Sequence, residues 1–263
     1  MKLKAKRIQK KLKNKIVKSY KTVDSTNNVA KKLALDGCGE GVVVTALKQT
    51  AGKGRLGRSF VSKKGGVYFS VVLRPQISLY ETLFITVAAA VAAAQAIETV
   101  SGKKCDIKWV NDVYINGKKI CGILTEGEIN PDGTLQYAVL GVGINLFMPC
   151  GNFPKNLPLA DSVFNKNSKI LLKNRKKEEL IAEFINKFFS YYEDLNAKEF
   201  IKEYQQRSFL TGKEITYTKD EKIYTAQVVG IDENANLVVR NGEQTEKISH
   251  GEIQIIGMEQ LSI

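Results

Sequence analysis

Apolar positions along the chain fall into two kinds of run. From Thr26 to Leu35 they recur with helical spacing, behind Ser25 or Thr26 as a cap and ahead of Gly37 as a stop, which predicts a short helix. Val42–Gln49 and Val67–Leu73 are continuous apolar runs of strand length, rich in β-formers. The stretch from about Glu81 to Val100 is Ala-rich and predicts a buried helix; its most apolar part, Leu83–Ile97, is short for a membrane span of about 20 residues. Asp106–Val110 reads as a strand. Val113–Leu124 reads as a hairpin turned at Asn116-Gly117, a pair suited to a type I′ turn. A turn at Asn130-Pro131-Asp132-Gly133 leads into a strand over 136–144, and an irregular loop with prolines follows over 147–160. Amphipathic helices are predicted over 176–195 and 197–207.

From Gly212 the pattern changes. Five short strand-like runs, at 214–218, 223–231, 237–240, 245–249 and 253–256, alternate with turns, which predicts a small β-barrel. The chain therefore divides into a leader (1–21), a larger domain mixing helices and strands (22–210) and a small β domain (211–263), an α+β protein.

Charge sharpens this division. The net +13 is concentrated at the start: residues 1–21 hold ten Lys/Arg and no acid, and the rest holds 30 bases against 27 acids. Such a leader reads as a solvated segment, or as a contact for an anionic partner, and not as the mark of a nucleic-acid-binding body. It has no apolar core, so it is not a secretory signal. Cys38, Cys105, Cys121 and Cys150 show no CxxC spacing and read as reduced thiols of a cytoplasmic protein. The single histidine, His250, excludes a His-cluster metal site and leaves little room for a Ser-His-Asp hydrolase.

Four constellations carry candidate chemistry. In Gln49-Thr50-Ala51-Gly52-Lys53-Gly54-Arg55-Leu56-Gly57-Arg58-Ser59-Phe60, three glycines let the backbone approach a ligand and three cations suit an anion such as phosphate. Gly52-x-Gly54-x-x-Gly57 matches a dinucleotide fingerprint, but a strand follows where that motif requires a helix. The plainer reading is an exposed basic loop. Lys108-Trp109-Val110-Asn111-Asp112 ends at a strand tip before a hairpin that carries Lys119 beside an apolar run, where a lysine needs an anionic partner or must snorkel to solvent. Gly141-Val142-Gly143-Ile144-Asn145 leaves one strand face bare, either for a ligand ring or for close packing. Asp24-Ser25-Thr26-Asn27-Asn28 caps a helix and can still touch a ligand.

Taken together, these segments resemble the biotin protein ligases. Gly52–Arg58 is similar to their GRGRxGR loop, and Ser25-Thr26-Asn27 to their Ser-Thr-Asn motif. Lys108–Asp112 is similar to KWPND, Lys119–Glu126 to K-x-x-G-I-L-x-E, and Gly141–Asn145 to G-x-G-I-N, all in the family's order. Lys53 stands in place of the usual Arg, Val110 of Pro and Phe60 of Trp. The resemblance implies a mixed-sheet catalytic domain of the biotin/lipoate ligase type followed by an SH3-like barrel. It implies that Ser25, Thr26, Asn27, Gln49, Gly52, Lys53, Arg55, Arg58, Phe60, Trp109, Asn111, Lys119, Gly122, Gly141, Gly143 and Asn145 bind biotin or its adenylate. Lys119, Arg55 and Asp112 are the implied catalytic groups, with Asp112 as a Mg²⁺ ligand helped by Asn145.

The implied reaction joins biotin to ATP, giving biotinyl-adenylate and pyrophosphate, then passes biotin to a lysine of a biotin carboxyl carrier protein such as that of acetyl-CoA carboxylase. A homodimer fits the resemblance. The short stretch before Asp24 leads us to expect no winged-helix domain and no operator binding. Two rivals are a lipoate or octanoate ligase of the same superfamily, and a non-enzymatic nucleic-acid binder acting through the leader.

Overall fold

The computed structural model describes residues 2–131, 134–149, 151–164 and 170–257. Half of the expected 130–133 turn, Cys150 and the last six residues lie outside these.

A seven-stranded mixed sheet forms the larger domain. Its strands are β1 (Val17–Tyr20), β2 (Val43–Ala46), β3 (Val67–Leu73), β4 (Asp106–Lys108), β5 (Asp112–Ile115), β6 (Lys118–Ile129) and β7 (Leu135–Ile144), in the spatial order β1-β2-β3-β7-β6-β5-β4. The β1–β2 pair is parallel and the others antiparallel. The β5–β6 turn has Asn116 and Gly117 both at positive φ, as a type I′ turn requires.

Helices cover both faces of the sheet. On one side lie α3 (Thr82–Ser101) and α4 (Ile170–Tyr192), with α5 (Glu199–Arg207) beside α3. On the other lies α2 (Thr26–Leu35), whose Ala30 and Ala34 pack with Val44, Val72 and Val139. Two covered faces explain why β3 is buried along its whole length, and apolar but for Ser70, instead of alternating. By length and composition α3 could cross a membrane, yet here it is the core helix, with Val87–Ala94 fully buried. Gly102 in the left-handed conformation ends it.

The basic segment is not the separate leader its charge suggests. Leu3, Ile8, Leu12 and Val17 are buried in the main core, α1 (Ala5–Gln9) rests against α4, and β1 is a strand of the sheet. Lys4 N–H donates to Glu178 Oε1 (2.7 Å), which Arg7 also approaches through the second carboxylate oxygen. A few apolar residues anchor the segment, and the lysines stay in water because their charge resists burial.

The small domain is a five-stranded antiparallel sheet of β8 (Glu214–Lys219), β9 (Lys222–Ile231), β10 (Leu237–Asn241), β11 (Gln244–Ile248) and β12 (Ile253–Ile255), ordered β11-β10-β9-β8-β12. Two side chains from the end of β4 reach across to it. Trp109 Nε1 donates to Ala235 O (2.9 Å) and Lys108 Nζ to Ile253 O (3.2 Å).

Candidate functional site

The face of the sheet that carries α2 is left bare beyond the first turn of that helix. Gly122 and Gly143 are direct neighbours on β6 and β7, and so are Leu124 and Gly141. Directly paired residues share a face, so the three glycines make one hollow across the two central strands. A cavity of about 250 Å³ lies over it. Fourteen of the residues singled out from the sequence line this cavity: Ser25, Thr26, Asn27, Gln49, Lys53, Arg55, Arg58, Phe60, Asn111, Asp112, Lys119, Gly122, Gly141 and Gly143.

The hollow has occupants from the protein itself. A Cβ at Gly143 would lie 2.6 Å from the Phe60 ring, and one at Gly141 would overlap the Asn27 amide. Close packing of side chains thus accounts for the bare strand in this state. Phe60 is the wall of the cavity, held edge-on to Tyr68.

Polar groups form a chain around this end. Gln49 Oε1 accepts from Thr26 N–H (2.7 Å) and Thr26 Oγ1 (2.9 Å), while Gln49 Nε2 donates to Ser62 Oγ (2.7 Å). The Ser70 hydroxyl lies 2.8 Å from Thr26 Oγ1 and 2.5 Å from Asn27 Oδ1. Asn27 Nδ2 donates to Glu126 Oε2 (2.6 Å), and Lys53 Nζ stands 3.6 Å from the other oxygen of Glu126. Ser25 occupies the N-cap position of α2 but makes no side-chain capping bond. The first-turn N–H of Thr26 is met by Gln49 instead, and beside it Asn28 Nδ2 donates to Asp24 (2.6 Å), a bond that holds the Asp24 carboxyl below its usual range.

At the other end sits an ion pair. Lys119 Nζ lies 2.6 Å from Asp112 Oδ2, across the β5–β6 hairpin. This is the anionic partner that a lysine beside an apolar run requires. Asp112 Oδ1 is buried and has no hydrogen-bond partner among the described residues. A second cavity, about 180 Å³, meets the first along the wall made by Lys119 and Asp112.

The basic glycine loop is a small hairpin, with Gly54 N–H bonded to Arg58 O and Phe60 N–H to Gly52 O. Its tip passes through Leu56 and Gly57, both at positive φ. Arg55 donates to Asn111 Oδ1 (3.1 Å) and to Gly251 O (2.7 Å); Arg58 pairs with Glu252 at 2.6 Å. The small domain therefore closes the cavity and holds the loop's arginines. Lys108, nine-tenths buried beside them, has its ammonium pushed below the usual range by burial, with Asp112 and Glu252 opposing that shift.

Three expected site residues fall elsewhere. Gly52 packs inside the loop, where a Cβ would collide with Phe60 O and Ser62. Trp109 is buried as the strut to Ala235 and lines only the second cavity. Asn145 lies one residue beyond β7, its backbone bonded to Ile120 and Val163, and lines neither cavity. Residues missed from the sequence are Ser70, Glu126, Glu252 and Gln254. Ser70 carried a signal, a buried polar residue inside an apolar strand; Glu252 and Gln254 carried none, being almost 200 positions from the loop whose cavity they line.

Among the described residues no cluster of three or more His, Cys, Asp or Glu could cage a metal. One carboxylate with a free oxygen does suit Mg²⁺ in a nucleotide site, where phosphates and water supply most ligands.

Fold and site define an α+β ligand-binding domain with a cation-rimmed cleft closed by a β domain. Residues 19–145 match the biotin/lipoate A/B protein ligase family, and residues 211–255 match the biotin protein ligase C terminal domain. The larger domain is thus similar to this ligase family and the small domain to its C terminal domain. It is 44% identical over 139 residues to the bifunctional ligase/repressor BirA of Bacillus subtilis, covering 52% of this chain and 42% of that protein. It is 27% identical over 225 residues to the biotin--[acetyl-CoA-carboxylase] ligase of Mycobacterium tuberculosis, covering 81% and 79%. The match thus spans about two fifths of the Bacillus relatives and most of the mycobacterial one. The biotin protein ligase of Aquifex aeolicus, solved with biotin and ATP, superposes with a TM-score of 0.69 at 26% identity, over 93% of this chain and 99% of that one.

Proposed function

We propose that the protein joins biotin to ATP, releasing pyrophosphate, and transfers biotin from the adenylate to a lysine of a biotin carboxyl carrier protein. The observation that carries this is the Lys119–Asp112 pair, set where a polar pocket meets a second, cation-lined cavity.

In the first step a carboxylate oxygen attacks the α-phosphorus and the bond to the β-phosphate breaks, the electron pair leaving with pyrophosphate. Two anions must meet, so the barrier is electrostatic and positional. Lys119 would turn from Asp112 to the biotin carboxylate, and Arg55 and Arg58 would exchange Gly251 and Glu252 for phosphate oxygens. Mg²⁺ bound by nucleotide and Asp112 would supply charge neutralisation. In the second step the carrier amine attacks the acyl carbon, AMP leaves, and the amine loses a proton. Until then the loop hairpin would shield the anhydride from water.

The chain of Thr26, Gln49, Asn27 and Ser70 offers both donors and acceptors, as an ureido ring requires. A dithiolane ring could exchange no hydrogen bonds with them, which favours biotin over lipoate. Mass spectrometry of a carrier domain incubated with ATP and biotin, lipoate or octanoate tests this: biotin alone should add. Lys119→Ala should abolish ATP–pyrophosphate exchange, and exchange near the wild-type rate in that variant rejects the proposed role.

The same proposal includes a homodimer, no sequence-specific DNA binding and a cytoplasmic location, the last supported by unpaired Cys38, Cys105 and Cys121. Sedimentation equilibrium, gel shift and fractionation check them in turn.

A further inference from the structure

Lys108 stands outside the roles assigned so far. Its side chain is nine-tenths buried, yet it carries no ion pair at contact distance among the described residues. The acceptor it reaches is Ile253 O at 3.2 Å, one bond for an ammonium with three donors. It lines the second cavity and not the first. That cavity gathers four cations, Arg55, Arg58, Lys108 and Lys119, against two carboxylates, Asp112 and Glu252. Both carboxylates already hold a cation, Asp112 that of Lys119 and Glu252 that of Arg58. A buried, under-coordinated cation in a cavity with surplus positive charge is costly unless an anion completes it. The cavity shares Lys119, Asp112, Arg55 and Arg58 with the polar pocket, so an anion held in it would lie beside the groups proposed to meet the carboxylate and the phosphates.

We propose that Lys108 binds the pyrophosphate leaving group. Its contact with Ile253 O fixes the ammonium in advance and ties this end of the site to the small domain. The inference rests on the adenylate-forming reading, and names the residue that holds the departing anion.

The test uses the full chain as wild type, Lys108→Met and Lys108→Arg. ATP–pyrophosphate exchange gives KM for pyrophosphate, and calorimetry gives affinities for biotin and for inorganic pyrophosphate with Mg²⁺. We expect Lys108→Met to weaken pyrophosphate by at least about tenfold, the scale of a lost charge-assisted bond, with biotin affinity within about twofold. Lys108→Arg, keeping the charge, should recover most of the loss. Unchanged pyrophosphate affinity in Lys108→Met, or equal loss of both ligands, overturns the proposal and leaves Lys108 a strut between domains. If Lys108→Met does not fold, Lys108→Gln takes its place: weakened pyrophosphate affinity with intact biotin affinity supports the role, and no change in either rejects it. A wild type that binds pyrophosphate without exchange sinks the adenylate-forming reading alone; a wild type that does not bind it sinks this proposal.

Discussion

Gly141→Ala is the most informative single change. Gly141 lies mid-strand, paired to Ser70 on one side and Leu124 on the other, so its backbone cannot retreat. Asn27 lies in the first turn of α2 and is equally fixed. A Cβ at 141 would overlap Asn27 Oδ1 and lie 2.8 Å from Asn27 Cγ. The amide must swing away, losing the bond from Ser70 and the bond to Glu126. One neutral bond and one to a carboxylate are together worth about 2–4 kcal/mol, so urea unfolding should report a loss of that order. The displaced amide would also enter the cavity, and calorimetry should show biotin affinity falling by about tenfold or more. Gly122→Ala is the control. Its Cβ would press only on the Phe60 ring edge, at 3.2 Å, which can shift by a few tenths of an ångström, and would meet Asp112 Oδ1 and Lys119 Cε at an ordinary 3.6 Å; the expected loss is under about 1 kcal/mol. Stability and biotin affinity in Gly141→Ala equal to those of Gly122→Ala would refute the reasoning.

Other expectations follow from the same contacts. Arg55→Ala removes the tie between loop, Asn111 and Gly251; biotinyl-adenylate should dissociate at least about tenfold faster, and unchanged retention in a stopped-flow chase counts against the loop as a shield. Arg207 binds Glu98 and Glu203 and the Cys105 carbonyl, joining α5 to α3 and the start of β4. Arg207→Met should cost about 3 kcal/mol by urea unfolding. Burial, the largest single influence, would raise the Glu98 carboxyl, but the Arg207 hydrogen bonds, the Cys105 N–H and the nearby positive charges together outweigh it and hold the group below its usual range. Its contribution is therefore complete above the unfolded value of about 4.3 and lost as pH falls through the depressed folded value. The gap in stability between wild type and Arg207→Met should narrow on acidification, and a constant gap excludes this linkage.

The sequence showed most of the fold because local signals agreed with tertiary demands. Asn116-Gly117 set the hairpin that brings Lys119 to Asp112, and the break at Gly212 marked the change to short strands. Charge misled where it outnumbered the anchors: four buried apolar residues suffice to fold the basic segment onto the body. The cleft was legible in its motifs, since glycine and basic residues cluster within single loops and strands. Its closure was not. Glu252 reaches Arg58 from beside a separate sheet and Gln254 lines the cavity from within it, and no spacing rule links either to the loop. Trp109 and Asn145 belonged to the right motifs but do not line the hollow, because a motif names a neighbourhood and only the backbone decides which side chains face it.

Trp109 is the chain's only tryptophan, and it is buried where β4 ends with its indole N–H bonded to the small domain. Its fluorescence is therefore an intrinsic optical gauge of how the two domains sit together. Loosening of the small domain would wet the indole and shift its emission to the red, without any label having to be introduced.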